Sequence, residues 1–426
     1  MKKNLARKVT LSILAGAVLM SSSVAWAADP PKGWKEVSGR SSWYVPESGT
    51  QGSIGSGEYS DKNFAGVFNE TGVAQDGVIT ISGGSFGKDI YGGRTGLPAK
   101  SDDSEAKNNA VNISNGNFGG NIHGGYSLHG NATNNSVVIS GGTFKPGSNS
   151  FIYGGRANND ATDNSVTISG GTFGEKDASG KERIVNIIGG YSYNIDKKSK
   201  KNTVSISGDA NLTYAKLYGG LEIGDNVKYG GASNPNTLNI GTADKMYKGN
   251  VKGIAGFDVI NFASIDWEED DGTDDGVIKV ETLELDTTEV TVDKVRVAGG
   301  TTLEDGDKMT LIDAARLIGT IANNNDDKVT IYQGVARTVE VKAEVKQSAV
   351  EATTSKGSIY LEIAGLNSSV EVPEADEPGN EGTGDDKPGD SGTTEEDKPA
   401  SKLNPQVLVI GESRAAATAF TNQGSE

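Results

Sequence analysis

Between residues 79 and 240 the chain repeats one short alternation of apolar and polar positions. Ile79 and Ile81 flank a single polar residue, and the pair recurs as Val111/Ile113, Val137/Ile139, Val166/Ile168 and Val204/Ile206. Period two predicts a short strand with one face turned inward. A glycine-bearing corner follows each pair: Ser82-Gly83-Gly84, Ser114-Asn115-Gly116, Ser140-Gly141-Gly142, Ser169-Gly170-Gly171 and Ser207-Gly208-Asp209. Such residues permit tight turns. Phe86, Phe118, Phe144 and Phe173 come five residues after the second apolar position, with Leu212 one place later in the fifth copy. A second strand then ends in Gly-Gly, as in Ile90-Tyr91-Gly92-Gly93, Ile122-His123-Gly124-Gly125, Ile152-Tyr153-Gly154-Gly155, Ile188-Gly189-Gly190 and Leu217-Tyr218-Gly219-Gly220, and Gly-Gly is expected to make another corner.

Successive copies lie 32, 26, 29 and 38 residues apart, a variable spacing that fits a solenoid with loop insertions. An Asn precedes the first apolar position by two residues: Asn109, Asn135, Asn164 and Asn202, with Asn236 ahead of Leu238 and Ile240 in a sixth copy. Stacked Asn can hydrogen-bond from copy to copy and tolerates left-handed backbone angles. The expected fold is all-β, a right-handed parallel β-helix with each copy one coil, paired to the next at ~4.8 Å. A β-sandwich or a propeller with glycine-rich turns is the rival, and a calcium-loaded β-roll is a third reading. Gly84–Asp89 resembles the nonapeptide of that roll only loosely, and its Asp does not recur.

Beyond the clear repeats the strands continue, in Phe257–Phe262, Thr282–Val297, Lys308–Ile312, Val329–Gln333 and Thr338–Val345. The expected organisation is a leader over 1–27, an N-terminal segment over 28–50, repeats over 51–257 and further coils over 258–370. The acidic run 266–276 reads as a solvated loop, since its glycine is misplaced for an EF-hand. Residues 371–400 hold eleven acids and two lysines and cannot bury enough to fold, so 371–402 is a disordered acidic linker. Residues 403–426 regain Ala and apolar content and suit a short helix.

Composition narrows the chemistry. The chain has 426 residues, no Cys and two His, so disulfide frameworks and Cys/His zinc sites are excluded. A formal net charge of −17 argues against nucleic acid as a partner. Lys2, Lys3, Arg7 and Lys8 precede an apolar stretch from Leu11 to Met20 and the small-x-small site Ala25-Trp26-Ala27. This is the pattern of a secretory signal, and the expected address is export through the inner membrane.

Three features together resemble the autotransporter family of type V secretion, with a pertactin-like passenger. They are the signal followed by Ser-Gly-Gly/Tyr-Gly-Gly coils, the segment Leu303–Ala314, and the acidic linker leading into Glu412–Gly424. The last string looks like the helix that lies in the pore of the family's outer-membrane barrel. The resemblance implies a surface-displayed adhesin that binds host or bacterial surface glycans or proteins, at the cell surface, in the outer membrane or outside the cell. The sequence given stops where the barrel would begin. The implied partner is an outer-membrane β-barrel translocator, absent from this sequence through truncation, a split gene or its being a separate chain; without one, the destination is the periplasm.

No catalytic, cofactor or metal residues are expected, and the chain is not read as an enzyme. Glycoside cleavage needs two carboxylates facing across a groove. Here Asp102, Asp103, Glu105, Asp160, Asp163, Glu175, Asp177 and Glu182 fall in loops, while His123 and His129 lack partners at metal spacing. The suggestive feature is a column beside Gly-Gly, Tyr91, His123, Tyr153 and Tyr218, with Arg94, Tyr126, Arg156 and Tyr191 just past it. Aromatics interleaved with Arg offer flat apolar faces and donors to sugar rings or a protein. The alternative is that the rings stack on one another and shield the wall. At the level of function, the rivals are a non-binding stalk and a polysaccharide-cleaving β-helix enzyme.

Overall fold

The computed structural model describes residues 29–96, 104–145, 147, 150–194, 197–222, 226–267, 277–297, 301–322, 328–333, 337–348, 355–364, 370–371 and 402–403. The expected leader, nearly all of the acidic linker and the terminal helix lie outside these residues.

The described chain is all-β and forms a parallel solenoid of about eight turns. Each of the clearest coils has four short strands. The Ile-x-Ile segments make one wall, a nine-stranded parallel sheet that includes Val78–Ile81, Ala110–Ile113, Ser136–Ile139, Ser165–Ile168, Thr203–Ile206 and Thr237–Ile240. Register is strict: Ile79 pairs with Val111, Val111 with Val137, Val137 with Val166 and Val166 with Val204. Each inward side chain therefore lies over its counterpart, and all of these are fully buried.

The Ser-Gly-Gly corner is real. Gly84, Gly116, Gly142 and Gly171 have φ between 100° and 130°, a region closed to most side chains. The turn delivers the aromatic position inward. Tyr59, Phe86, Phe118, Phe144 and Phe173 stack down the interior with centroids 5.5, 5.3, 4.8 and 4.6 Å apart. Leu212 continues this column, because Asn211 bridges to Thr172, and it too is buried.

The Gly-Gly pairs do not make a corner. They lie inside continuous strands, Ile90–Thr95, Ile122–Ser127, Ser150–Ala157, Val185–Ser192 and Ala215–Glu222. Glycine is required there for space. A Cβ on Gly93, Gly125, Gly155 or Gly190 would overlap the amide of Asn109, Asn135, Asn164 or Asn202, and one on Gly92, Gly124 or Gly154 would meet a carbonyl of the next coil. The fourth side of the coil is a column of small residues, Ala74, Ala106, Ala132 and Ala161, on strands of two or three residues.

The asparagines do form a ladder. Oδ1 of Asn135 accepts from the backbone N–H and the Nδ2 of Asn109 at 3.0 and 2.9 Å, and the pattern repeats to Asn164, Asn202 and Asn236. The left-handed position is the residue before the ladder, at Asp76, Asn108, Asn134, Asp163 and Lys201, with φ of 54–59°.

Both ends are closed by antiparallel structure. Trp34–Val37 pairs antiparallel with Arg40–Pro46, and the buried Trp34 ring sits edge-on to Phe64 at 5.2 Å. At the other end Lys308–Ile318 adds in parallel to Ile278–Glu284. It then pairs antiparallel with Gly357–Ile363, which pairs antiparallel with Arg337–Gln347. The segment expected to hold only further coils thus ends in a reversal that covers the last coil with Ile359, Leu361 and Ile363.

Candidate ligand-binding wall

Strand alternation aims Ile90, Ile122 and Ile152 into the core and the next residue to the outside of the same wall. Tyr91, His123, Tyr153, Ile188 and Tyr218 hold equivalent places in consecutive coils. Three residues further along, Phe68, Arg94, Tyr126, Arg156 and Tyr191 form a parallel column. The structure therefore brings all eight residues named from sequence onto one wall, in two adjacent columns.

These side chains lie outside the main core and bury one another. Tyr91, Tyr153 and Tyr191 are 3, 4 and 8% exposed, and His123 is fully buried. The His123 ring lies between Tyr91 at 4.6 Å and Tyr153 at 4.9 Å, nearly parallel to both. Ring faces at Tyr91 and Tyr153 are thus already occupied, as the stacking alternative expects. Tyr126, Arg94, Arg156 and Tyr218 are half-buried, and the edges of the columns remain open there.

The outer column alternates cation and ring. Arg94 lies 4.8 Å from the Trp43 ring centre, 5.2 Å from Tyr91 and 5.0 Å from Tyr126. Arg156 lies 4.9 Å from Tyr126, 5.4 Å from Tyr153, 5.6 Å from Tyr191 and 5.5 Å from Tyr193. Arg40 over Phe68 at 5.4 Å extends the alternation toward the N-terminus. Contacts of this kind contribute about 0.5–2 kcal/mol each, most when desolvated. Sequence reasoning missed Arg40, Trp43, Phe68 and Tyr193. The first three precede the first clear copy at Ile79, but Tyr193, two residues past Tyr191, was within reach of the same spacing argument.

The electrostatics follow from burial. Burial holds the His123 imidazole well below its ordinary range, and Arg156 and Arg94 push the same way, so the ring is neutral. Among the described residues neither ring nitrogen has a hydrogen-bond partner. Burial opposes the charge on Arg156, yet the phenols of Tyr153, Tyr126 and Tyr191 outweigh it and the net direction is upward. Burial, with Asp89 adding to it, raises the Tyr91 phenol far above its usual range; that hydroxyl donates to Asp89 Oδ2 at 2.9 Å and accepts from Arg94 Nη1 at 3.1 Å.

A groove of about 550 Å³ lies elsewhere, lined by Glu182, Tyr214, Lys252, Lys279, Glu281 and Asp313 among others. Its two glutamates both contact Lys252, Glu182 at 2.6 Å and Glu281 closer still. Among the described residues, no three of His, Asp and Glu gather as a metal site. Asp102 and Asp103 lie outside the described residues, as does most of the acidic run 266–276.

The fold defines a class, the parallel β-solenoid built from variable coils. No family model matches the chain, and neither a curated protein nor a solved structure matches it.

Proposed function

We propose that the chain is the displayed rod of a surface adhesion system, an autotransporter-type passenger that is exported and held outside the cell by an outer-membrane barrel. The observation that carries this reading is one continuous apolar interior, closed at both ends by antiparallel strands, in a chain without cysteine. The leader pattern and the likeness of Glu412–Gly424 to a pre-barrel helix support it from the sequence. Long solenoids offer extended side walls for contact, and the wall bearing Arg94, Tyr126 and Arg156 is the contact surface in this reading.

The test is display. The chain is co-expressed with, or fused to, an outer-membrane barrel, and whole cells are probed with antibody and external protease. The expected result is surface exposure, and tighter attachment to glycan- or protein-coated surfaces than cells bearing the barrel alone. Retention inside the cell would overturn the reading. The burial of Tyr91 and Tyr153 favours a second reading, a stalk that binds nothing, and surface exposure without any gain in attachment would select it.

A further inference from the structure

We propose that the Arg94–Tyr126–Arg156–Tyr191 column is a docking track for an acidic glycan that carries a carboxylate or sulfate on every second sugar. The assignment deepens the adhesion reading and rests on it.

Tyr126 lies between Arg94 and Arg156, its centre 5.0 and 4.9 Å from them. A guanidinium whose carbon lies over aromatic rings keeps its N–H donors, and the Nη groups that reach the half-open edge of the wall can fork around a carboxylate or sulfate. Rings on either side hold Arg156 in place before any ligand arrives, which reduces the ordering cost of binding. Arg156 makes no hydrogen bond or ion pair among the described residues, and its Nε is buried without a partner. Arg94 spends one Nη on Tyr91, and its Nε is likewise buried and unpartnered. Arg40 is already paired with Glu70 at 3.2 Å and closes the track on that side.

Spacing selects the ligand. Arg94 and Arg156 stand two coils apart, about 9.6 Å along the axis. Two sugars of an extended β-linked polymer span a similar length, so acids on alternate sugars meet successive arginines while the intervening sugar lies against the edge of Tyr126. An acidic peptide does not fit: extended residues rise about 3.3 Å and alternate sides, so same-side carboxylates recur at about 6.6 Å. At the far end Tyr193 is 46% exposed beside Tyr191 and Arg156, an open ring for a terminal sugar.

The experiment is calorimetric titration of the purified full chain. The probes are hyaluronan oligosaccharides (carboxylate on alternate sugars), heparin oligosaccharides (a sulfated arm), uncharged chito-oligosaccharides of equal length, and poly-glutamate. Hyaluronan or heparin is expected to bind, more weakly as salt rises, with no binding to the other two. Arg156→Lys keeps the charge but loses the planar fork, and Arg156→Gln keeps a planar group without charge. Each is expected to weaken binding at least tenfold at a temperature where both variants are fully folded, and Arg156→Gln, which loses the ring contacts of the cation, also unfolds at a lower midpoint. Equal binding of chito-oligosaccharides, preference for poly-glutamate, full affinity in Arg156→Lys, or no binding to either acidic glycan would overturn the track. Displayed cells separate the two readings. Attachment that ignores Arg156→Gln removes the track and leaves the adhesion reading. Binding by the purified chain without attachment of displaying cells removes the adhesion reading and leaves the track.

Discussion

The backbone N–H of Asn236 donates to Oδ2 of Asp258 at 2.8 Å, and that bond ends the asparagine ladder. Asp258 pairs in register one coil after Asn236 and so occupies the next rung. A carboxylate suits the end position because it accepts without donating. Its Oδ2 also takes Gly230 N–H at 2.7 Å, and its Oδ1 takes Gly231 N–H at 2.7 Å. Asp258→Asn would turn an NH2 group toward one of these donors. It should lower stability by about 1–3 kcal/mol, the cost of leaving a partly buried donor unmatched, and Asp258→Ala should lower it further. Denaturant unfolding of the three chains checks the order.

Gly155 tests the wall from the other side. A methyl group there would overlap the amide of Asn164, whose Nδ2 donates to Ala132 O at 2.9 Å and whose Oδ1 serves Asn135. Gly155→Ala should cost about 1–3 kcal/mol by overpacking. The damage should show as faster amide exchange in the strands Ser136–Ile139 and Ser165–Ile168, which flank the ladder. Gly147→Ala is the control, with nothing within 4 Å of an added Cβ, and should leave both stability and exchange unchanged.

How far the sequence could be read depends on where each constraint lives. Ile79/Ile81 and their counterparts announce themselves because strand alternation is local, and Phe144 because its offset from them is constant. Asn164 was legible for the same reason. The role of Gly154-Gly155 was not, because glycine usually signals a turn, and its real reason, the amide of Asn164 and a carbonyl of the next coil, lies elsewhere in the chain. The side built on Ala106, Ala132 and Ala161 gives no periodic signal, being two or three residues of small side chain per coil. Arg40, Trp43 and Phe68 join the cation–ring column from an N-terminal hairpin and the strand after it, outside the repeat, so no spacing rule reaches them. The closing reversal from Lys308–Ile318 to Gly357–Ile363 was equally hidden, since strand direction is not written in alternation.

The aromatic pillar carries a separable share of stability. Phe144 lies between Phe118 and Phe173 with interplanar angles of 14° and 3°. Phe144→Ala removes both stacking contacts and leaves a void in a closed interior, which typically costs about 3–5 kcal/mol. Ile139→Asp places an unpaired charge one wall away and should be worse, since a buried carboxylate there has no partner. Limited proteolysis should find new cuts at the corners around Gly142 and Gly171 in both chains. A cleavage pattern like that of the parent would count against the stacked interior.

His123 gives the fold a pH dependence whose sign can be worked out. Its imidazole titrates well below the ordinary 6.5 because burial, then Arg156 and Arg94, disfavour the charged form. The unfolded chain takes up a proton as pH falls through about 6.5 while the folded chain does not, so the unfolded state binds more protons in that window. Stability from this group is therefore complete above about pH 6.5 and declines below it, by up to about 1.4 kcal/mol per pH unit, until the folded pKa is reached. His123→Tyr matches Tyr91 and Tyr153, the aromatic residues in the same column on either side, and removes the titration. The difference in unfolding free energy between the two chains, measured from pH 7.5 to pH 5, should be flat above about 6.5 and grow in favour of the tyrosine variant below it. A difference independent of pH would mean that the imidazole titrates between the two tyrosine rings as it does in the unfolded chain, and one that grows in favour of histidine as pH falls from 7.5 would mean that it is protonated there.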